Sequence, residues 1–344
     1  MAGWPPPDLA NGTRGRPPEA LALPLLAAVW RLPARAIGLT TDIDHLLSEL
    51  VAAHEGPIVS FAPSRLASAL TSAFPQREHV PVWRGFGRDA GIDVELASDL
   101  PHDAIAVIDS PSDPLGALLP ANDAVRLARS CRWLIVDERF ADFAGQSMAT
   151  LASEFPNVIV IRSLRAWTSL SAPEPGWFIA SPQARRALPL DVAAVASPAW
   201  GTASTALCRA SAMQAALAQA REERSRLFRS LRKLSSLQPL PSWGPFVAAR
   251  VEVGSRETLL AALLERGIAI HAPAQAGLER YVRIGVGERW MMEQLRKALL
   301  EIAPLLLGDP LPAGGGHPDC FPLGREEFRQ PQLRQIEQRA HPRA

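Results

Sequence analysis

The sequence predicts an α/β protein in which a mainly parallel central sheet is covered by helices and a small α+β unit follows. Two observations lead to this prediction. Short runs of consecutive apolar residues alternate with helical segments through the first part of the chain, which is typical of strands buried on both faces of a parallel sheet. After one long helical stretch the pattern changes to shorter strands and helices, which indicates a second, smaller unit.

The large unit is predicted to consist of alternating strands and helices. A helix is expected over residues 19–31, and Thr40 or Thr41 is expected to cap the next helix at 42–54. The other predicted strands are 57–61, 79–83, 104–108, 133–137, 158–161 and 177–180, and the other predicted helices are 66–74, 121–130 and one between 137 and 158. This alternation predicts a sheet with helices on both faces.

The smaller unit is predicted downstream of the longest helical stretch, residues 203–234. Its predicted strands are 246–253, 268–271 and 281–286, and its predicted helices are 256–266 and 289–306. We therefore divide the chain into an arm at 1–18, a large domain at 19–202, the long helix with a small domain at 203–306, and a tail at 307–344. Composition predicts that the arm is disordered and that the tail is mobile.

Charge and hydropathy exclude several classes of partner. The net charge of +1 gives no general attraction for nucleic acid or for an anionic membrane surface. No apolar run approaches the roughly 20 residues of a membrane-spanning helix. The segment 14–36 has basic residues before an apolar stretch, so it fits either a signal peptide or an amphipathic core helix. We expect no nucleic-acid partner and no membrane association.

The cysteines and histidines predict neither disulfides nor a metal site. Cys131, Cys208 and Cys320 are odd in number and widely spaced, unlike a disulfide framework or a zinc site. A reducing cytoplasm is therefore the expected location. The seven histidines include no pair at the spacing of two metal ligands on one helix, so no metal is expected.

Four motifs occur in order along the chain. Residues 110–116 read Ser-Pro-Ser-Asp-Pro-Leu-Gly, one strand ends in Asp137-Glu138, residues 162–164 read Arg-Ser-Leu, and residues 281–284 read Tyr-Val-Arg-Ile. Together they resemble the class I/II aminotransferases, which are fold type I pyridoxal-phosphate enzymes. The branch they resemble contains histidinol-phosphate aminotransferase and threonine-phosphate decarboxylase. The resemblance covers roughly residues 36–305 and implies an aminotransferase-like fold.

The resemblance also implies where the cofactor should be held. A lysine shortly after the Arg-Ser-Leu run should form a Schiff base with it, but that position holds Ala166. The neighbouring Arg165 is no substitute, because a guanidinium stays protonated near neutral pH. The two lysines of the chain, Lys233 and Lys297, lie far from this run in sequence. Asp137 matches the aspartate that pairs with the pyridine nitrogen of the cofactor.

Other cofactor positions of the family carry different chemistry in this chain. Asp113 stands where an asparagine donates to the 3′-oxygen of the cofactor, and Phe140 stands where a tyrosine contacts that oxygen. Glu174 stands where an arginine holds the phosphate, so it should repel that group. In the run Phe61-Ala-Pro-Ser-Arg65, no aromatic residue follows the Pro-Ser pair, where the family has the side chain that stacks on the ring. From these changes we expect that the pyridoxal-phosphate site is lost and that no cofactor is bound.

Several polar residues are nevertheless expected in the cleft, although none is assigned a catalytic role. They are Asp113, Asp137, Arg165, Glu174 and His271. His271 is included because its segment faces the cleft in the family. Arg283 matches the family's arginine for the substrate carboxylate, which a guanidinium can bind through two parallel hydrogen bonds. The alternative role for Arg283 is a salt bridge at the surface or between domains.

Two hypotheses for function follow. In the first, the chain is a pseudoenzyme that keeps the aminotransferase fold and serves as a non-catalytic binding or regulatory partner in an amino-acid biosynthetic pathway. It would form a homodimer, and it could bind another enzyme of that pathway or a small carboxylate-bearing ligand. In the second, the chain is an enzyme that uses the cleft for chemistry without pyridoxal phosphate on a small carboxylate-bearing or amino-acid-like substrate. A cleft filled by side chains favours the first hypothesis, and an open cleft with converging Asp and Arg favours the second.

Overall fold

The computed structural model describes residues 18–85, 91–92, 100–169, 174–188 and 198–308. Within them the central sheet is formed by β1 (Ile37–Thr40), β2 (Ile58–Ala62), β3 (His79–Gly85), β4 (Gly91–Ile92), β5 (Ile105–Asp109), β6 (Trp133–Asp137), β7 (Val158–Ser163) and β8 (Gly176–Ala180). The spatial order is β1-β8-β7-β6-β5-β2-β3-β4. The pairs from β3 through β2, β5 and β6 to β7 are parallel, and β1, β4 and β8 pair antiparallel with their neighbours. The prediction of a mainly parallel α/β sheet is confirmed.

Helices surround this sheet and continue into the smaller unit. The helices are α1 (Pro18–Trp30), α2 (Ile43–Ala52), α3 (Arg65–Ala73), α4 (Ala121–Ser130), α5 (Ala141–Ala144), α6 (Ala149–Glu154), α7 (Arg165–Thr168), α8 (Pro182–Ala187), α9 (Pro198–Cys208), α10 (Ala210–Leu231), α11 (Arg256–Leu264) and α12 (Arg289–Gly308). A short 3₁₀ turn at Ala34–Ala36 precedes β1. Asp42 caps α2 by accepting hydrogen bonds from the backbone N–H groups of Asp44 and His45.

Apolar side chains cover both faces of the sheet, which explains why the strand residues do not alternate with polar ones. Successive strand residues point to opposite faces. Val136 packs on one face in a cluster with Trp177 and Trp200. Ile135 packs on the other face with Ile43 of α2.

Helix α1 belongs to this core. Its residues Ala22, Leu25 and Leu26 are buried in the same cluster as Trp200 of α9. Segment 14–36 was expected to be either a signal peptide or a core helix. In the part of it that the structure describes, the core helix is therefore the interpretation supported. No helix within the described ranges is both long and apolar enough to cross a membrane.

The smaller unit contains a three-stranded antiparallel sheet, formed by β9 (Leu237–Pro239), β10 (Phe246–Val251) and β11 (Tyr281–Gly285) in the order β11-β10-β9. Val247 of β10 packs with Leu227 of α10, Leu259 of α11 and Leu295 of α12 in a separate apolar cluster. The predicted division into domains stays a prediction. The predicted arm and tail fall outside the described residues except for Pro18 and residues 307–308.

Some predicted elements differ from the structure for local reasons. The long helix at 203–234 is two helices, because the backbone at Arg209 (φ −105°, ψ 31°) leaves the helical region. Residues 268–271 form no strand, since His271 makes only an isolated bridge to Arg283. Strand β1 was not predicted because it is short and contains Gly38. A Cβ at Gly38 would lie 2.0 Å from the Phe178 ring, so the close strand contact requires glycine.

Candidate functional site

A cleft opens at the carboxyl ends of the central parallel strands. Asp109 ends β5 and Asp137 ends β6, and the two residues are partners in the register of these strands. Because parallel strands end at the same edge, their terminal side chains meet there, and α/β proteins bind ligands at such edges. The cleft has a volume of about 460 Å³. Its polar lining consists of Asp44, Ser48, Arg65, Asp109, Asp113, Asp137, Arg139, Arg165 and Glu174.

Arg139 binds the carboxylate of Asp137. The Nε of Arg139 donates to Asp137 Oδ2 at 2.9 Å, and its Nη2 lies 2.7 Å from the same oxygen. Nη2 also donates to Asp44 Oδ1 at 2.8 Å. Burial alone would lower the pKa of Arg139, but the carboxylates of Asp137 and Asp44 raise it above its ordinary value. This guanidinium therefore stays charged and bridges the two acids.

Glu174 is buried beside this pair. It accepts a hydrogen bond from the hydroxyl of Ser163 at the end of β7, and its Oε2 lies 3.8 Å from a guanidinium nitrogen of both Arg139 and Arg165. Burial raises the pKa of Glu174, and Ser163, Arg139 and Arg165 oppose that change. The carboxylate thus faces two cations at the floor of the cleft.

Asp113 joins the large unit to the small one. Its Oδ2 lies 3.2 Å from Nη1 of Arg65 at the start of α3, and its Oδ1 lies 2.9 Å from Nε of Arg283 on β11. The Arg283 guanidinium also lies over the ring of Phe246, 3.9 Å from its centroid. Burial lowers the pKa of Arg283, which Asp113 opposes. Arg283 therefore forms a salt bridge between the units, which was the alternative role expected for it.

Asp109 is a buried acid in the wall of the cleft. Its Oδ2 accepts hydrogen bonds from the hydroxyl of Ser64 at 2.9 Å and from the backbone N–H of Asp113 at 2.8 Å. The buried Arg84 lies 3.4 Å from Oδ1. Burial raises the pKa of Asp109 to about 6, against the opposing effects of Arg84, the Asp113 N–H and Ser64. A carboxyl group with this pKa can exchange a proton near neutral pH.

The structure brings together most of the residues that the sequence suggested. Four candidates line the cleft, namely Asp113, Asp137, Arg165 and Glu174. His271 is not among the residues that line it and is exposed, and its segment makes an isolated bridge to Arg283. Ala166 is partly buried against the apolar cluster of the large unit and does not reach the cleft.

Sequence reasoning missed four charged residues of the site. Arg139, Arg65, Asp109 and Asp44 all line the cleft. Asp109 ends β5, Arg139 lies two residues beyond the end of β6, and Asp44 and Arg65 lie in the first turns of α2 and α3. Charged residues just after buried strands are a sequence signal for this edge of a parallel sheet. Among the described residues, no group of three or more His, Cys, Asp or Glu side chains is arranged to hold a metal ion.

Comparison with known proteins places this fold in a family. The family model for aminotransferase class I and II matches residues 89–299.

The chain belongs to the class I and II aminotransferase family.

Among curated relatives, the histidinol-phosphate aminotransferase of Thermococcus gammatolerans is 28% identical over 306 residues, which cover 86% of this chain and 85% of that protein. Two solved aminotransferase-fold structures are similar to the chain. The histidinol-phosphate aminotransferase of Sinorhizobium meliloti, solved in complex with pyridoxal-5′-phosphate, has a TM-score of 0.69, is 23% identical and matches 87% of this chain and 85% of its own. The L-threonine-O-3-phosphate decarboxylase of Porphyromonas gingivalis has a TM-score of 0.65, is 18% identical and matches 83% of this chain and 89% of its own.

The expectation that the chain has no cofactor is wrong in the light of these relatives. A histidinol-phosphate aminotransferase matches most of its length, and a neighbour of the same name was solved with pyridoxal-5′-phosphate. The expectation rested on several substitutions at the family's cofactor positions, each of which alters an individual contact. A cleft is formed by the whole sheet edge, and here it stays open.

The residues of the cleft nevertheless do not fit a cofactor held through a Schiff base. Within the described part of the chain no lysine is among the residues that line the cleft, and Lys233 and Lys297 are both exposed. Asp137 was expected to pair with the ring nitrogen of the cofactor, but Arg139 already binds its carboxylate. Glu174, which also lies beside Arg139, adds a further negative charge at the bottom of the cleft. No reaction step through a lysine-bound cofactor follows from this arrangement.

Proposed function

We propose that this class I and II aminotransferase-family protein binds a small amino-acid-like anion in its cleft and serves as a binding or regulatory protein in amino-acid biosynthesis. The observation that supports this most directly is the cleft lining, which pairs arginines with carboxylates and contains no side-chain amine among the described residues. Without an amine among its described lining residues, the cleft lacks the nucleophile for transamination through a Schiff base. Loss of that linkage, rather than loss of the cleft, separates it from an active aminotransferase.

The relatives suggest the chemical class of the ligand. Histidinol phosphate and threonine phosphate, after which two relatives are named, are small amines that carry a phosphate group. Arg65 and Arg165 fit such an anion because their side chains are 65% and 52% exposed while both line the cleft. A guanidinium binds carboxylate or phosphate through a planar pair of N–H donors.

Calorimetric titration with O-phosphothreonine and histidinol phosphate tests this binding. We expect the variant with both Arg65→Gln and Arg165→Gln to bind at least about tenfold more weakly than the wild type, since two charge-assisted contacts are lost. Arg229→Gln, at an exposed arginine on α10 outside the cleft lining, is the matched control and should bind like the wild type. Equal binding by the double variant and the control would refute the assigned ligand site.

A second measurement tests the absence of the Schiff base. The protein is incubated with pyridoxal phosphate, reduced with borohydride and mapped by peptide mass spectrometry. We expect no stoichiometric adduct on any lysine and no transamination of the bound amine, whether or not the cofactor binds non-covalently. A stoichiometric adduct on Lys233 or Lys297 together with turnover would show that the proposal is wrong.

A second candidate function is an enzyme that works with the cleft's own side chains, and three observations favour it. The cleft is open, Asp and Arg side chains converge in it, and burial raises the pKa of Asp109 to about 6. Asp109 would then act as a general acid or base on the bound ligand. Mass spectrometry of the ligand after incubation distinguishes the two candidates. Turnover that disappears in Asp109→Asn while binding remains would support the enzyme.

We also propose that the protein acts as a homodimer in the cytoplasm and that another enzyme of the same pathway is its candidate partner. Cys131 and Cys208 are both free thiols, which supports a reducing compartment.

A further inference from the structure

One side of the cleft is apolar, in contrast to its charged end. We call this side the apolar wall, and α2, α3 and the residue after α3 supply its members, which are Leu47, Leu66, Ala69, Leu70, Ala73 and Phe74. Spacings of three and four residues place the members from α3 on one face of that helix. The wall starts beside Arg65 and extends about 13 Å along α3, at about 1.5 Å per residue.

The apolar wall is anchored in the core, so its shape is fixed. Leu47 and Leu70 are buried in one apolar cluster, and Phe74 packs against that cluster. The backbone of Phe74 is held at both ends of its peptide unit. Its N–H donates to the carbonyl oxygen of Leu70, and its own carbonyl oxygen accepts from the N–H of Arg77 and lies 2.9 Å from Nε2 of His79.

Between its larger members the wall leaves room for a ligand. Ala69 and Ala73 are exposed and lie one turn apart on α3. Their side chains are single methyl groups, so a ligand can approach the helix closely at these positions. Pockets for small molecules typically combine a mainly apolar lining with a few polar groups that fix the orientation of the ligand. The cleft combines both within about 460 Å³.

The near end of the wall carries a net positive charge. Arg65 and Arg283 share the single carboxylate of Asp113, so the three side chains together have one excess positive charge. The Arg65 side chain is 65% exposed and contacts Asp113 through Nη1. A guanidinium has five N–H donors, so others remain for an anion from the cleft. An anion bound at Arg65 would have the apolar wall directly beside it.

We infer that the ligand of this cleft is an anion with a short apolar group, whose anionic end binds Arg65 and whose apolar group lies along the apolar wall. The inference rests on the proposed function, in which the cleft binds a small anion, and it adds the apolar half of that ligand. A guanidinium binds carboxylates and phosphates alike. Selection among such anions therefore comes from the wall, because the gain from burial grows with the apolar area removed from water.

Methyl phosphate and butyl phosphate test the apolar wall, since they differ only by three methylene groups. The midpoint of thermal unfolding of the whole protein is measured at increasing concentrations of each compound. A ligand that binds the folded state raises this midpoint according to its affinity. One buried methylene increases affinity about fourfold, so we expect butyl phosphate to bind at least about tenfold more tightly than methyl phosphate.

A substitution at an exposed position assigns this preference to the wall. Ala69→Phe fills the space above α3 without replacing a core residue, and it should lose most of the preference for butyl phosphate. Ala52→Phe, at an exposed alanine on α2 outside the cleft lining, is the matched control and should keep the preference. If Ala69→Phe does not fold, as judged by circular dichroism, Ala69→Gln is titrated in its place. A preference that falls equally in the control would overturn the inference.

A second copy of the chain is the alternative occupant of the apolar wall. In that case both alkyl phosphates would bind alike, and Ala69→Phe would change the mass measured by light scattering. This pair of results would overturn the inference.

The outcome is separable from the test of the proposed function. Equal binding of the two alkyl phosphates, with phosphothreonine binding that still depends on Arg65 and Arg165, would reject the apolar subsite alone. A preference for butyl phosphate that Ala69→Phe removes, in a protein that binds neither phosphothreonine nor histidinol phosphate, would reject the proposed amino-acid-like ligand alone.

Discussion

At the scale of single residues, burial and charge pairing act against each other around Asp109. Its carboxyl group is buried beside the guanidinium of Arg84 and accepts from Ser64. The cost of burial exceeds these favourable contacts, since the pKa of Asp109 is raised from 3.8 to about 6. The folded protein therefore binds a proton here more tightly than the unfolded chain does.

The expected consequence is a loss of stability as pH rises through this interval. Between about pH 4 and pH 6 the folded state carries the extra proton, so this group contributes on the order of 3 kcal/mol less to the unfolding free energy at neutral pH than at pH 4. Urea denaturation at several pH values measures it. Asp109→Asn should flatten the profile in this window, whereas Asp103→Asn, at an exposed acid, should leave it unchanged. An identical slope in the Asp109 variant and the wild type would contradict the assignment.

The two described cysteines should differ in reactivity. Cys131 is buried, and burial raises its pKa to about 12, whereas Cys208 is exposed. The thiolate is the reactive form, so at pH 7.5 iodoacetamide should label Cys208 and spare Cys131 until the protein is unfolded. Peptide mapping by mass spectrometry reads out each site. Cys208→Ser serves as the control, and labelling of Cys131 in the folded protein at the rate of Cys208 would disprove the expectation.

At the scale of the elements, several helices begin where a short polar side chain caps them. Asp42, Ser64, Ser181 and Ser255 each accept hydrogen bonds from backbone N–H groups in the first turn of the helix that follows. These caps satisfy donors that the helix itself cannot pair. They also position α2 and α3, which provide Asp44 and Arg65 to the cleft.

Removal of the Asp42 cap should weaken α2 without destroying the fold. Asp42→Ala is expected to lower the unfolding free energy by about 1 kcal/mol, because the N–H groups of Asp44 and His45 lose their acceptor. Urea denaturation at neutral pH measures the change. Asp42→Asn retains an acceptor oxygen and should cost less, so equal losses in the two variants would argue against the cap.

At the scale of the whole molecule, apolar side chains remain on the surface of the smaller unit. The exposed large side chains among the described residues are Leu264, Trp290, Met291, Leu300 and Leu305. They lie on α11 and α12. Exposed apolar groups that lie close together are common where protein surfaces associate.

The proposed homodimer is tested by its mass in solution. Light scattering coupled to size exclusion at micromolar concentration should give about twice the monomer mass of 37.1 kDa. Hydrophobic association supplies the driving force, so the dimer should persist at high salt. Dilution over a concentration series provides the control for weak association. A constant monomer mass throughout the series would count against the dimer.

The sequence by itself was sufficient to predict the architecture. Uninterrupted apolar strands such as 133–137 and amphipathic helices such as 121–130 depend on local patterns, and both were confirmed within a residue or two. Because a parallel sheet is buried on both faces, each of its strands is apolar along its whole length and can be recognised separately in the sequence. The resemblance to the aminotransferases likewise implied that Asp113, Asp137, Arg165 and Glu174 lie near one cleft, and all four line it.

Only the tertiary structure decided which charges meet. Arg139 and Asp44 are 95 residues apart, and Arg65 and Asp113 are 48 apart, yet each pair is in contact. Such pairs depend on how α2, α3 and the strand ends assemble, and no local pattern encodes that distance. The same assembly left the cleft open and placed Arg139 on the carboxylate of Asp137. The chemistry of the site therefore follows from long-range packing, which composition and periodicity do not describe.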